Sequence, residues 1–552
     1  MVLSYLNGLA SNFFILILEK EKMKYNKAYL PLIIGISIAI GILIGFYMPH
    51  PQAGFYTNFP PSNDKLNRIL DIIESDYVDT VNRNALIEEA IPVMLRKLDP
   101  HSVYIPATDL AQANEPLQGN FDGIGVSFNM LTDTVLIIST ISGGPSEKAG
   151  IIPGDKIIMV NDSLIAGRNI PDEDVVKMLK GPRGTRVDLK IERKGAKELL
   201  PFTIIRDKIP LYSVDVSYMM SDDVGYIKIS SFALTTHDEF KKGLNELKET
   251  GMKKLILDLR GNSGGVMDAA IQIADEFLPE GKLIVFTMGK STPRQEMKAT
   301  AKGEFETGEL VVLIDEWSAS SSEILAGAVQ DNDRGTIIGR RSFGKGLVQE
   351  PVMFRDGSGM RLTIARYYTP TGRSIQKPYD QGVDKYYEDL GYRLMHGEFE
   401  EADSVRLDDS LRFTTPGGKV VYGGGGIMPD IFIPIDTAGI SEYFLAVRNS
   451  GLLYRYALKF TEDNRETLKK YNELPELIRW LEGQNLLSKF VGYAGQNGVP
   501  ARKDQIEISK NIIEVQLKAY IARNMLDNKG FYPIWQEIDK TLLEAFSYLE
   551  NN

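Results

Sequence analysis

The sequence predicts a multidomain α+β protein, and three observations carry that expectation. Apolar positions recur at helical spacing near both ends of the chain, short alternating runs with Gly-rich turns fill residues 119–207, and β-type runs such as KKLILDLR and ELVVLID alternate with helical patterns from 208 to 440. At about 150 residues per domain, 552 residues suffice for three or four domains, each with its own core. Hydrophobic residues at 43% and charged residues at 25% are ordinary globular usage, which excludes a largely disordered chain. The formal net charge of −11 leaves no basic excess for a polyphosphate backbone, so nucleic acid is not an expected partner. Cysteine is absent, which removes disulfides, thiolate metal sites and a cysteine nucleophile, and suits an oxidising compartment. The four histidines, His50, His101, His237 and His396, are scattered without zinc-binding spacing, so neither metal nor cofactor is expected.

Taken in order, residues 1–27 form a short N-terminus, and the tidier basic segment MKYNK leaves open whether translation starts at Met1 or Met23. Residues 28–48 (AYLPLIIGISIAIGILIGFYM) carry no charge over 21 positions, enough as a helix to cross a hydrocarbon core of about 30 Å. Lys20, Lys22, Lys24 and Lys27 precede this segment and the next charge is Asp64, which places the bulk of the chain outside the cytoplasm. A cleaved signal peptide is the alternative, although no A-x-A site follows. Residues 49–63 are rich in Pro, Gly and Asn and read as a linker. Between 64 and 118, Leu66, Ile69, Leu70 and Ile73, then Leu86, Ala90, Ile91, Met94 and Leu95, define two amphipathic helices of a small domain ending in LDPHS. A strand-rich module with one helix near 172–180 follows over 119–207. The α/β core of 208–440 has strands buried on both faces, and 441–552 reads as a helical C-terminal domain. The acidic run Glu398–Asp403 reads as a solvated loop, Asp99 and His101 as a turn and helix cap, and His237 and His396 as structural or exposed.

Three stretches of the core resemble catalytic signatures. GNSGG at 261–265 satisfies G-x-S-x-G, but no histidine sits in a motif that nominates it as the base for Ser263. Its glycines suit a sharp turn with exposed N–H groups. GRRSFGKG at 339–346 matches a P-loop except that Gly346 stands where Ser or Thr should hold magnesium, and LVQEPVMF after it reads as a strand where a helix is required. The third stretch, SASSSEI at 318–324, lies between a buried strand and a helix. Ser320 with Glu323 forms the S-x-x-E capping pattern, and a first-turn serine also sits beside unpaired N–H groups able to stabilise an oxyanion. A lysine can act as its base if burial lowers the ammonium pKa, and Lys345, between Gly344 and Gly346 and among Phe343, Leu347 and Val348, is the candidate.

These residues resemble the C-terminal processing, or tail-specific, proteases of peptidase family S41. The likeness runs from about 64 to 435 through YVD, LDPHS, FDGIGV, LDLRGNSGG, SASSSEILAGAVQD, GRRSFGKGLVQ, ARYYTPTGRSIQ and GGGGIMPDI. It implies a PDZ domain at 119–207 and a ClpP/crotonase-like peptidase core at 208–440. It implies Ser320 as nucleophile, Lys345 as general base 25 residues on, and Gln349 as a residue that orients the dyad. The backbone amides of Gly265 and Ser321 match the oxyanion hole, with Ser321 where the family commonly has Ala. In the PDZ module, Gly123, Ile124, Gly125 and Val126 are expected to bind a terminal carboxylate and a peptide that adds to the strand edge.

The activity so implied is that of a membrane-anchored serine endopeptidase acting, on the periplasmic side of a bacterial inner membrane, on unfolded or envelope proteins recognised by apolar C-terminal tails. A homo-oligomer or an activating adaptor remains open, as does the role of 441–552. The rival reading is a non-catalytic PDZ adaptor or chaperone, which would be free to lose the Ser/Lys pair that this chain retains.

Overall fold

The computed structural model describes residues 31, 35–40, 65–131, 133–141, 143–405 and 408–551. The expectations for the start site, for most of the 28–48 span and for the 49–63 linker fall outside these residues. Among the described residues no helix is long and apolar enough to cross a membrane. The chain divides into two compact units, residues 1–86 and 87–552. In the first, helix α1 (Lys65–Asp76) carries an apolar stripe, yet none of its residues is buried. Helix α2 (Arg83–Leu95) runs across the boundary between the units.

The second unit opens with β1 (Val103–Ile105) and α3 (Leu110–Gln118). The strand-rich module follows: β2 (Asn120–Gly123), β3 (Val126–Leu131), β4 (Thr134–Thr140), α4 (Pro145–Ala149), β5 (Lys156–Val160), β6 (Ser163–Leu164), α5 (Asp172–Leu179), β7 (Arg186–Glu192), β8 (Leu200–Ile205) and β9 (Asp207–Pro210). Antiparallel strands in the order β3-β4-β5-β7-β8 curl around Ile137, Ile157, Val187 and Ile191, and α5 closes the core with Val175 and Leu179. β2 pairs with β9 where the chain enters and leaves the module.

The α/β core comprises β10 (Val214–Met219), β11 (Val224–Ile229), α6 (Thr236–Glu249), β12 (Lys254–Asp258), α7 (Met267–Asp275), β13 (Leu283–Met288), β14 (Gln295–Lys298), β15 (Glu309–Ile314), α8 (Ser321–Asp331), β16 (Thr336–Gly339), β17 (Leu347–Met353), β18 (Gly359–Tyr368), α9 (Val383–Met395), β19 (Arg412–Thr414), β20 (Val420–Tyr422) and β21 (Ile431–Phe432). Its main sheet runs β10-β11-β12-β15-β16-β21, parallel except at β10. LILD of β12 and LVVLI of β15 are buried, as expected for strands covered on both faces. One face packs on α6, α7 and α8 through Leu244, Ile273, Leu325 and Val329. A second, antiparallel sheet in the order β1-β18-β13-β14, with β17 on β18, carries the strand after GRRSFGKG, which rules out the P-loop reading.

The C-terminal helices are α10 (Glu442–Asn449), α11 (Leu452–Leu468), α12 (Leu474–Glu482), α13 (Leu486–Gln496), α14 (Lys503–Leu526), α15 (Asn528–Trp535) and α16 (Lys540–Asn551). Most of them share a core around Leu453, Ala457, Phe490, Leu517 and Ile521. α16 does not. Its Leu542, Ala545 and Leu549 cover the other face of the main sheet, against Tyr226, Ile256, Val311, Leu313 and Ile338, so this helix packs on the α/β core. LDPHS leads from the helical N-terminal segment into β1, which pairs with β18. One expectation changes. Glu398 is not part of a solvated loop, because its carboxylate takes Arg341 at 2.6 Å and Arg393 at 3.0 Å.

Candidate active site

The turn after β12 is built by backbone approach. Asn262 is buried; its Oδ1 accepts from Gly264 N–H at 2.9 Å and its Nδ2 donates to the Ile229 carbonyl at 3.0 Å. Gly265 (φ 144°) bridges to Phe232, and a Cβ there would lie 2.0 Å from the Phe232 carbonyl oxygen. Only glycine fits. Ser263 is exposed on this turn and its hydroxyl bonds to no base among the described residues, so G-x-S-x-G here has none of the partners of a nucleophile elbow.

Ser320 sits in the bend between β15 and α8 with φ 57° and ψ −112°, a strained backbone for a non-glycine residue. Three contacts hold the serine run against the glycine turn. Ala319 N–H and Ser322 Oγ both donate to the Asn262 carbonyl, at 3.0 and 2.9 Å, and Ser321 Oγ donates to the Gly265 carbonyl at 3.1 Å. The N–H groups of Gly265 and Ser321 have no partner among the described residues. Two such donors beside one serine are the arrangement an oxyanion requires.

Lys345 reaches the same place through Glu323. A single carboxylate oxygen, Glu323 Oε2, accepts from Ser320 N–H at 2.8 Å and from Lys345 N–H at 2.9 Å. Its other oxygen accepts from Ser342 Oγ at 2.6 Å and Gly344 N–H at 2.7 Å. Burial pushes the Glu323 carboxyl up to about 7, against these four donors, which favour the carboxylate. The Tyr367 hydroxyl bonds to the carbonyls of both Ser320 and Lys345. Burial lowers the Lys345 ammonium pKa, Arg361 adds to the lowering, and Glu323 and Asp99 oppose it. Lys377 is also buried, but its ammonium is paired with Asp389 at 2.9 Å. Lys345 makes no ion pair among the described residues, and no hydrogen bond there joins Lys345 Nζ to Ser320 Oγ. Such bonds are often loose without substrate. Gln349 donates from Nε2 to Thr363 Oγ1 at 3.1 Å.

Sequence reasoning missed two neighbours of Lys345. Asp99 makes the expected turn, accepting from the N–H groups of His101 and Ser102 at 2.7 and 2.8 Å. The LDPHS segment nevertheless lies at the site, and desolvation with the Lys345 charge drives the His101 imidazolium pKa down to about 3. In the strand-rich module, Gly123 belongs to a ladder with Asp207, and Ile124 buries its side chain in the core. Among the described residues the N–H groups of Ile124 and Gly125 have no partner, while Val126 pairs with Thr140.

Family profiles match this layout: peptidase family S41 over residues 223–388, a PDZ domain over 137–193, the N-terminal domain of activating protease CtpB over 52–108, and a family of unknown function over 443–527. The carboxy-terminal processing protease CtpA of Bacillus subtilis is 37% identical over 57% of this chain and 66% of its own length, so the chain spans just under two thirds of that relative. The carboxy-terminal-processing protease of Bartonella bacilliformis is 37% identical over 56% of this chain and 71% of its own length. A solved photosystem II D1 C-terminal processing protease is 27% identical over 57% of this chain and 91% of that one, with a TM-score of 0.33. The chain combines a PDZ domain with the core of peptidase family S41. The chain belongs to the carboxy-terminal processing proteases of family S41.

Proposed function

We propose that the protein is a serine endopeptidase with a Ser320/Lys345 dyad that cleaves proteins captured by their apolar C-terminal tails. The observation that carries this reading is the Glu323 carboxylate oxygen shared by the Ser320 and Lys345 backbones, which fixes nucleophile and base relative to each other. Ser320 Oγ attacks the scissile carbonyl as the neutral Lys345 amine takes its proton. The developing oxyanion lies between the Gly265 and Ser321 N–H groups. On collapse, Lys345 returns the proton to the leaving amine, and water then hydrolyses the acyl-enzyme with Lys345 again as base. Gln349 orients the lysine. The tail's carboxylate binds the Ile124 and Gly125 N–H groups while its backbone adds beside β3. The uncharged 28–48 segment supports a membrane anchor with the catalytic part outside the cytoplasm, where envelope proteins would be the substrates.

The test is cleavage of an unfolded reporter with an apolar tail. Ser320→Ala and Lys345→Ala should each abolish cleavage and leave tail binding intact, and EDTA should be without effect. Undiminished cleavage by either variant overturns the dyad. Tail binding without wild-type cleavage would favour the adaptor reading.

A further inference from the structure

The Gln349 side chain ends in an amide, and which end faces Lys345 decides whether it can help. An NH2 group would repel an ammonium, whereas a carbonyl oxygen would accept from it. The surroundings settle the orientation. Asp99 is buried, and its carboxylate is already committed as an acceptor: Oδ2 takes Ser102 Oγ–H at 2.6 Å, and Oδ1 takes Thr363 Oγ–H at 3.1 Å besides its two turn N–H groups. The one hydroxyl proton of Thr363 is thus spent on Asp99. Towards Gln349, Thr363 Oγ1 can only accept, and it does so from Nε2 at 3.1 Å. Gln349 Oε1 has no partner among the described residues.

The strands enforce the chain. β1 and β17 both pair with β18. A bulge in β18 sets Thr363, rather than Ile364, opposite Gln349. The Thr363 N–H is itself held by Ser102 Oγ at 3.1 Å.

We infer that Asp99, acting through Thr363, is a positioning device for the dyad: it fixes the Gln349 amide with its oxygen free to receive the Lys345 ammonium that forms when Ser320 gives up its proton. The inference rests on the Ser320/Lys345 reading. Asp99 and Thr363 act through Gln349 and not on the reacting atoms themselves. The charged or titratable groups facing Lys345 are Glu323 from α8, Arg361 and Tyr367 from β18, and Asp99 and His101 from the LDPHS turn, with His101 neutral above about pH 3.

The experiment measures kcat and KM for the full chain across pH. Thr363→Val keeps the shape and the Asp99 charge but breaks the relay, and should lower kcat about tenfold with KM held, whereas Thr363→Ser should restore it. If Thr363 works through Gln349, adding Thr363→Val to Gln349→Ala should cost nothing further. Asp99→Asn retains an acceptor but removes a charge that favours the ammonium, so the acid limb of kcat/KM should move to lower pH. Wild-type turnover in Thr363→Val, additive losses in the double variant, or an unmoved acid limb in Asp99→Asn overturns the relay. An active Lys345→Ala would instead overturn the dyad beneath it.

Discussion

Gly265 shows how narrowly a single residue is constrained at this site. A methyl group there would stand 2.0 Å from the Phe232 carbonyl oxygen, so the bridge must open and the Gly265 N–H must turn away from Ser320. Gly265→Ala should lower kcat roughly a hundredfold, the cost of one oxyanion donor, while tail affinity stays unchanged. Turnover measured beside fluorescence polarisation of a tail peptide separates the two. Ser320, Lys345 and the glycine turn could be nominated from the sequence because each lies in a short motif with its own chemistry. Glu323 was legible only as a cap. Its second task, holding Lys345, crosses 22 positions and has no local signature. Asp99 and Thr363 are 264 positions apart, and nothing in either neighbourhood announces the bond.

At the scale of elements, helical and strand periods predicted most of the core, and errors fell where a segment was too short or its partner too remote. β1 is three residues, VYI, too few to display alternation, and its identity comes from pairing with β18. α16 was correctly expected to be helical, but amphipathic spacing does not say which core a helix joins. Arg260, just before the glycine turn, makes a two-pronged bond to Asp539 at 2.8 and 2.7 Å, and Lys254 Nζ donates to the Leu549 carbonyl. Leu542→Ala removes a buried side chain from this contact and should destabilise the peptidase core by about 2–4 kcal/mol. Denaturant unfolding followed by the sheet's circular dichroism measures that loss.

For the molecule as a whole, the C-terminal helices also meet the PDZ domain. Tyr454 on α11 lies close enough to Asn129 on β3, the strand proposed to receive the tail, for that amide to oppose the rise that burial gives the phenol. Glu462 and Arg465 close on Gly154, where a Cβ would lie 2.8 Å from Glu462 Oε2, and a cavity of about 340 Å³ separates the two surfaces. Replacing Glu462 and Arg465 together by Ala should speed amide exchange in residues 152–155 at least tenfold, read by hydrogen–deuterium exchange mass spectrometry, while the β12 and β15 amides stay protected. That α16 covers the main sheet also sets a timetable. Strands β10 to β16 leave the ribosome about two hundred to three hundred residues before the helix that shields their second face. Until residues 540–551 have been made, Ile256, Val311 and Leu313 lack their cover, so the burial of the sheet is completed only by the last part of the chain to be synthesised.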